Sequence, residues 1–275
     1  MIKVLVKDRL DTFVFQNSFV DSREKAKALI MAGAVYVKNH MADMPGTTLK
    51  GGDIVEVRSN PLKYVSRGGL KLEKAMENYN ISLNNCICAD IGASTGGFTD
   101  CMLQNGANKV YSIDVGYGQF DWKLRTDERV VNLERTNFRY VTEKEVPDKL
   151  DFASVDVSFI SLKLILPALK NLLKADASAV LLINPQFEAG KDKVGKKGVV
   201  RDKNVHYEVI ENVVGYITDN GLKLCGLTFS PIKGPEGNIE YLAYVCNVGN
   251  QKYNEDIELN IENIVELSHK ELDKI

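Results

Sequence analysis

Three histidines and five cysteines in 275 residues leave little with which to hold a metal. Cys86 and Cys88 are one residue apart, so in a strand they point to opposite faces. No second ligand pair accompanies them, which argues against a zinc site, and no metal is expected. Cys101, Cys225 and Cys246 complete an odd count. Four of the five lie in apolar stretches and read as buried, inert thiols rather than a disulfide framework. No segment reaches the ~18 consecutive apolar residues that span a bilayer. The apolar run in the opening MIKVLVKDRLD is too short for a signal-peptide core, so the expected location is cytoplasmic, with no membrane partner. Repeats and low-complexity tracts are missing too.

What is present is ordinary for a globular chain: 44% hydrophobic and 26% charged residues. The length suits one large or two modest domains. The net charge of −2 hides an asymmetry. Residues 1–75 carry 13 Lys+Arg against 8 Asp+Glu, whereas the remainder carries 22 against 29. A basic front on a slightly acidic body fits a polyanionic partner docking at the front.

Periodicity divides the chain into 1–58, a linker at 59–64, 65–250, and an acidic tail at 251–275. Residues 7–58 read as two helices followed by a small sheet. Leu10, Phe13 and Val14 mark the first helix. Ser22 caps the second, whose apolar face carries Ala26, Leu29 and Ile30, and Gly33 ends it as a left-handed cap. Val35–Val37 is a short strand, and Gly51-Gly52-Asp53 turns into a closing one. Asn60-Pro61 breaks the pattern. An amphipathic helix follows over 70–79. From Cys86 onward, strand candidates at 86–91, 109–113, 130–133, 152–157 and 178–183 alternate with helical patterns, the clearest at Leu162–Leu173. The fold class is therefore α/β: a Rossmann-like parallel sheet with helices on both faces, behind a small α+β domain. A helix near 204–219, strands at 222–229 and 240–247 and a weakly amphipathic tail helix at 260–272 complete the pattern. Residues 188–203, polar and glycine-rich, read as a mobile loop.

The first strand of the larger domain runs into Asp90-Ile91-Gly92-Ala93-Ser94-Thr95-Gly96-Gly97-Phe98-Thr99. Glycines here permit positive φ and close backbone approach, and the following helix N-terminus offers free N–H groups. The spacing does not fit the G-x-G-x-x-G of a dinucleotide site. An acid two residues before the first glycine suits a ligand bearing an ammonium or sulfonium, such as S-adenosylmethionine; a plain tight turn stays open. Asp114, 24 residues after Asp90, ends the second strand where an acid can bind ribose hydroxyls, or cap a helix. Glu134-Arg135-Thr136-Asn137 follows the third strand, placed for an adenine. Asp156 ends the fourth, Asn184 the fifth, and Glu240 opens the last. Lys71 lies on the helix after the linker. Taken singly each is a common cap or surface residue; together they converge on one rim.

Longer motifs sharpen this. Residues 7–58 resemble an S4-type RNA-binding domain through Arg-Leu-Asp at 9–11, Ser-Arg-Glu-Lys-Ala at 22–26, Ala-Gly-Ala-Val-Tyr-Val at 32–37 and Gly-Asp-Ile-Val-Glu-Val at 52–57. Residues 64–248 resemble an FtsJ-type methyltransferase through Tyr-Val-Ser-Arg-Gly-Gly-Leu-Lys-Leu at 64–72, the 90–99 turn, Asp-Val-Gly-Tyr-Gly-Gln at 114–119, Glu-Arg-Thr-Asn at 134–137 and Asp-Val-Ser-Phe-Ile-Ser at 156–161. Together they resemble the TlyA family of rRNA 2′-O-methyltransferases, often labelled hemolysins. The resemblance covers nearly the whole chain short of the tail. It implies methyl transfer from S-adenosylmethionine to a cytidine ribose 2′-hydroxyl of 16S or 23S rRNA, free or in ribosomal subunits, with no obligate protein partner. It implies a cofactor site at Asp90, Gly92, Ala93, Ser94, Gly96, Gly97, Phe98, Asp114, Val115, Asn137 and Asp156. RNA contacts are expected at Arg9, Arg23, Lys25, Lys27, Lys38 and Arg67. It also implies a Lys-Asp-Lys-Glu catalytic tetrad, matched by Lys71, Asp156 and Glu240. The fourth position is Asn184, where the family has a lysine thought to assist removal of the hydroxyl proton. An amide cannot serve as that base, which leaves Lys71 as the expected base, tuned by Asp156 and Glu240. Three alternatives stand beside this reading: a catalytically impaired RNA-binding protein of the same fold, a membrane-lytic hemolysin, and a nucleotide-cofactor oxidoreductase, which the glycine spacing disfavours.

Overall fold

The computed structural model describes residues 2–31, 33–42, 44–57, 63–195, 198–247 and 260–273. Most of the expected linker, 59–62, and the tail residues 251–259 lie outside them. The chain divides into two compact units, residues 1–69 and 70–275.

In the first unit, β1 (Ile2–Lys3) and β2 (Asp8–Arg9) precede the helices α1 (Leu10–Gln16) and α2 (Arg23–Met31). Then come β3 (Val35–Val37), β4 (His40–Ala42), β5 (Thr48–Leu49) and β6 (Ile54–Val57). One sheet has the order β1-β6-β3-β4 and a second pairs β2 with β5, all antiparallel. The leading strands were not expected, because two residues are too few to show an alternation. Helix α2 starts where expected: the Lys25 N–H donates to Ser22 Oγ at 3.1 Å. Gly33 follows it with φ +72°. Leu10, Val14, Ala26, Ile30, Val35, Leu49 and Val55 are fully buried and form this unit's core.

The second unit opens with α3 (Gly69–Tyr79) and continues through β7 (Ile87–Ile91), α4 (Gly97–Gln104), β8 (Lys109–Ile113), α5 (Trp122–Arg125), β9 (Val130–Leu133) and β10 (Leu150–Val155). After these come α6 (Leu166–Leu172), β11 (Leu173–Ile183), α7 (Pro185–Glu188), α8 (Lys203–Asp219), β12 (Leu222–Phe229), β13 (Tyr241–Asn247) and α9 (Ile261–Leu272). The seven-stranded sheet has the order β12-β13-β11-β10-β7-β8-β9. Strands β7 to β11 pair in parallel, as the alternation required. The sheet is not wholly parallel, however: β13 inserts between β11 and β12, antiparallel to both. An irregular connection over 230–240 with no crossover helix returns the chain from β12, and such a return gives an antiparallel neighbour.

The strand order reverses at β7, which has β8 on one side and β10 on the other. This switch point opens a crevice beyond the carboxyl ends of β7 and β10. The stretch 188–203, expected to be mobile, is tied down where it is described. Val199 and Val200 are buried, and the Val200 N–H donates to Asn238 Oδ1 at 2.9 Å. Their burial supplies apolar contacts that the surrounding glycines and lysines hide in sequence. Among the described residues, no helix is long and apolar enough to cross a membrane.

Candidate functional site

A cavity of about 510 Å³ fills the crevice at the switch point, within the range of about 300–1,000 Å³ usual for small-molecule sites. Its floor is the glycine turn. Gly92 has φ +87°, and a Cβ there would lie 2.0 Å from the Asp156 carbonyl oxygen. Only glycine lets the ends of β7 and β10 meet this closely. The turn then rises through Ser94, whose N–H donates to Asp114 Oδ2 at 2.7 Å, while Asp114 Oδ1 accepts from the Gly116 N–H at 2.6 Å. Two backbone donors thus hold the Asp114 carboxylate at the cavity wall. Each oxygen keeps a lone pair for a ligand hydroxyl.

Of the expected cofactor residues, Gly92, Ser94, Asp114, Val115, Asn137 and Asp156 line the cavity. Ala93, Gly96, Gly97 and Phe98 do not; they shape the turn beneath it. Gly96, at φ +94°, leaves room for Leu124 and Phe120, which a Cβ would strike at 2.4 and 2.9 Å. Asp90 is a clear correction. Its carboxylate is buried and turned away from the cavity. One oxygen accepts from the Thr99 N–H at 2.9 Å and the Thr99 hydroxyl at 2.7 Å; the other accepts from the Ser154 hydroxyl at 3.2 Å. It therefore ties α4 to the sheet rather than facing a cation. Burial pushes its pKa up to about 7 against those hydrogen bonds, with nearby Asp156 adding to the rise.

Glu134 is also displaced from its expected role. It grips Arg125 through two hydrogen bonds of 2.7 and 2.8 Å and accepts from the Gly118 N–H at 2.7 Å. It therefore braces the 115–125 segment, and it is Thr136, Asn137 and Phe138 that reach the cavity. Gln119, Ser158, Phe159 and Ile160, which lie inside the quoted motifs but were not singled out, also line the cavity, as does Ile165, which no motif marked. Phe159 is 91% exposed, has φ +64° and sets its ring 5.2 Å from that of Phe187.

Asp156 joins the cavity to a buried ion cluster. Lys71 Nζ lies 2.7 Å from Glu240 and 3.4 Å from Asp156. Asn184 Nδ2 donates to the other Glu240 oxygen at 3.3 Å. The four residues that motif matching drew from α3, β10, β11 and β13 thus meet. Lys71 was expected to be the base, tuned by Asp156 and Glu240, and both carboxylates do lie against it. Burial alone would strip its proton, but the Asp156 and Glu240 carboxylates outweigh that penalty and hold its pKa above the usual lysine value. This arrangement favours the ammonium form of Lys71 and works against it as a base. Asn184 is committed at both ends, because its Oδ1 accepts the Gln186 N–H at 3.1 Å and caps α7.

In the first unit, Asp11 is fully buried and holds two of the expected RNA contacts. Arg9 reaches it through Nε and Nη2 at 3.0 and 3.1 Å, and Arg23 through Nε and Nη2 at 3.2 and 3.0 Å. The Arg9 hydrogen bonds, with help from Arg23, draw the Asp11 pKa down to about 2 against burial. Both guanidinium groups remain about half exposed. Lys25 pairs with Asp21 at 2.7 Å and Lys38 with Asp53 at 2.6 Å, and Lys27 is exposed. Arg67 is half-buried in the turn before α3.

The cavity's lining combines two carboxylates, Asp114 and Asp156, with apolar side chains from Ile113, Val115, Phe138 and Ile165. Such a set fits a ligand with a cationic centre, ribose hydroxyls and a flat base. Comparison with known proteins agrees. Residues 64–246 match the FtsJ-like methyltransferase family and residues 8–55 match the S4 domain. YqxC of Bacillus subtilis (strain 168) is 48% identical over 97% of this chain and 95% of its own length. The 16S/23S rRNA (cytidine-2′-O)-methyltransferase TlyA of Mycobacterium tuberculosis (strain ATCC 25618 / H37Rv) is 40% identical over 86% of this chain and 89% of its own. A solved Streptococcus thermophilus structure that bears the hemolysin label is 44% identical, covers 98% of both chains and has a TM-score of 0.77. With residues 64–246 matched, this chain belongs to the FtsJ-like methyltransferase family and carries an S4 domain in front of the catalytic one.

Proposed function

We propose that the protein transfers a methyl group from S-adenosylmethionine to the 2′-hydroxyl of a cytidine in 16S or 23S rRNA, in the cytoplasm, acting on free rRNA or on assembled subunits. The observation that carries this is the convergence of Lys71, Asp156, Asn184 and Glu240 at the end of a cavity whose acids suit that donor. When bound, the donor supplies an electrophilic methyl on a sulfonium. Asp114 would hold its ribose hydroxyls, Asn137 and Phe138 would hold its base, and Asp156 would balance its positive charge. The Lys71 ammonium then donates toward the incoming 2′-oxygen, so that catalysis rests chiefly on orientation. Of the two carboxylates in the cluster, Asp156 is the one that also lines the cavity, which makes it the acceptor for the hydroxyl proton. Arg9 and Arg23, held at a fixed spacing by Asp11, meet RNA phosphates.

A second reading rests on Asn184. With neither lysine nor free amide at that position, turnover is slow and the protein binds rRNA and donor without efficient transfer. Tritiated-methyl transfer to unmodified 30S and 50S subunits, with mass mapping of the labelled nucleotide, tests both. A 2′-O-methylcytidine supports the first, binding without label supports the second, and label on a base rather than a ribose defeats both.

A further inference from the structure

Helix α9 lies outside both family matches, which end at residues 55 and 246, yet it is built into the second unit. Asn260 caps it by accepting the Asn263 N–H at 2.8 Å. Val265 and Leu272 join the core, and Ser268 is fully buried. The Ser268 hydroxyl lies 2.8 Å from the Val265 carbonyl and 3.1 Å from the Tyr241 phenol oxygen. That phenol also meets His206 Nδ1 at 2.7 Å, and His206 Nε2 meets the Val200 carbonyl at 3.0 Å. A carbonyl only accepts, so Nε2 carries a proton. Burial lowers the His206 pKa and keeps the ring neutral. Nδ1 therefore accepts a hydrogen bond from the phenol O–H, and the Ser268 hydroxyl, whose single proton is shared between the Val265 carbonyl and the phenol oxygen, packs against that oxygen. Tyr241 is fully buried, so each of these bonds is shielded from water.

The position of Tyr241 gives this chain of bonds its importance. Tyr241 pairs with Ile183 on the last rung of the β11–β13 ladder. The residues just beyond that rung are Asn184 on one strand and Glu240 on the other. Side chains alternate along a strand, so a phenol anchored among α8 and α9 sets the opposite direction for Glu240, toward Lys71. The same helix ties down the 230–240 connection through Lys233–Asp273 at 3.1 Å, and the start of α8 through Lys203–Glu266 at 2.6 Å.

We propose that α9 braces the reaction centre: Ser268 and Tyr241 lock the Ile183–Tyr241 rung and thereby hold Asn184 and Glu240 against Lys71. Both are positioning residues for the methyl transfer proposed above, and this role rests on that reading. None of the residues lining the donor cavity lies on α8, α9 or β13; the cavity and the cluster share only Asp156, whose charge the brace does not alter.

Tyr241→Phe and Ser268→Ala test it. Three measurements are made on the full chain: donor affinity by calorimetry, single-turnover methyl transfer at saturating rRNA, and amide hydrogen exchange. Tyr241→Phe is expected to slow transfer about tenfold, the equivalent of one lost hydrogen bond of ~1.4 kcal/mol. Donor affinity should stay within about twofold, and exchange at residues 183–188 and 238–241 should quicken about tenfold while residues 92–97 hold. Ser268→Ala should show the same pattern more weakly. Transfer and donor affinity falling together, or unchanged exchange at 183–188, overturns the brace. Wild-type protein that methylates no rRNA defeats the proposed activity instead, and the exchange pattern still decides the brace.

Discussion

Asn184→Lys should speed methyl transfer and destabilise the fold at once. Asn184 Oδ1 caps α7 by accepting the Gln186 N–H, and its Nδ2 donates to Glu240. Lysine cannot cap, and losing such a cap costs about 1 kcal/mol, or roughly 2–4 °C in Tm for a unit of this size. In exchange a second amine enters a cluster that already holds the Lys71 ammonium between Asp156 and Glu240. Two cations about 4–5 Å apart repel by roughly 3–4 kcal/mol at an effective dielectric near 20. Glu240 and Asp156 offset part of this, and the rest drives one amine toward its neutral, basic form. A positioned general base contributes typically ~10²–10⁴ to rate, so the variant should transfer methyl at least about 100-fold faster. Initial-rate transfer of tritiated methyl to unmodified 30S and 50S subunits measures the gain, and thermal melting measures the loss. Native protein that turns over within threefold of the variant would refute the reasoning, because proton removal would then need no amine.

Gly92→Ala should abolish donor binding by calorimetry, since its Cβ would sit 2.0 Å from the Asp156 carbonyl at a φ of +87°; binding retained within tenfold would show that the turn yields. Asp90 makes the second unit pH-sensitive. Its pKa rises from 3.8 unfolded to about 7 folded, so the folded state binds the extra proton between these values and stability falls as pH rises through that window, by up to about 4 kcal/mol. Asp90→Asn should flatten that decline in urea titrations at pH 5 and 8, and an unaltered pH slope would sink the assignment. Arg23→Ala should weaken rRNA binding on all sequences alike and lower the salt dependence by about one ion; a sequence-selective loss would point to base readout instead.

Which features were legible follows from what each depends on. Long strands and helices carry their own period, so β7 to β11 and α8 lie within a few residues of where the pattern puts them, apart from the start of β11. The two-residue β1 and β2 are too short for any pattern, and the direction of β13 is set by a loop rather than by its own residues. The site divides the same way. Lys71, Asp156, Asn184 and Glu240 were found by motif, and each sits at the end of an element that delivers it to one place. The two carboxylates that tune Lys71 were named from the motifs, but the balance between their pull and the burial penalty depends on distances that no local pattern shows. Asp90 was misread because its partner, Thr99, lies nine residues on in the very helix taken to be open for ligand. Ser268 gave no signal at all, since a lone serine in an amphipathic helix reads as surface.

The substitution at 184 changes more than one proton acceptor. At formal charge the cluster of Lys71, Asp156, Glu240 and Asn184 carries −1, whereas a lysine at 184 would bring it to zero in the fraction that stays protonated. That surplus negative charge lies beside the cavity, because Asp156 belongs to both. A sulfonium donor carries a positive charge that its demethylated product, S-adenosylhomocysteine, lacks. For an assumed separation of about 8 Å and an effective dielectric near 20, a unit charge is worth about 2 kcal/mol, roughly 30-fold in affinity. The native chain should therefore prefer donor over product more strongly than Asn184→Lys does, by up to that factor, while product affinity changes little. Calorimetric titration of both proteins with both ligands gives the ratio. A preference unchanged within twofold would mean that solvent screens the cluster from the sulfur and that Asp156 does not face it. A preference that falls as expected would show a chain better suited to holding its donor than to spending it.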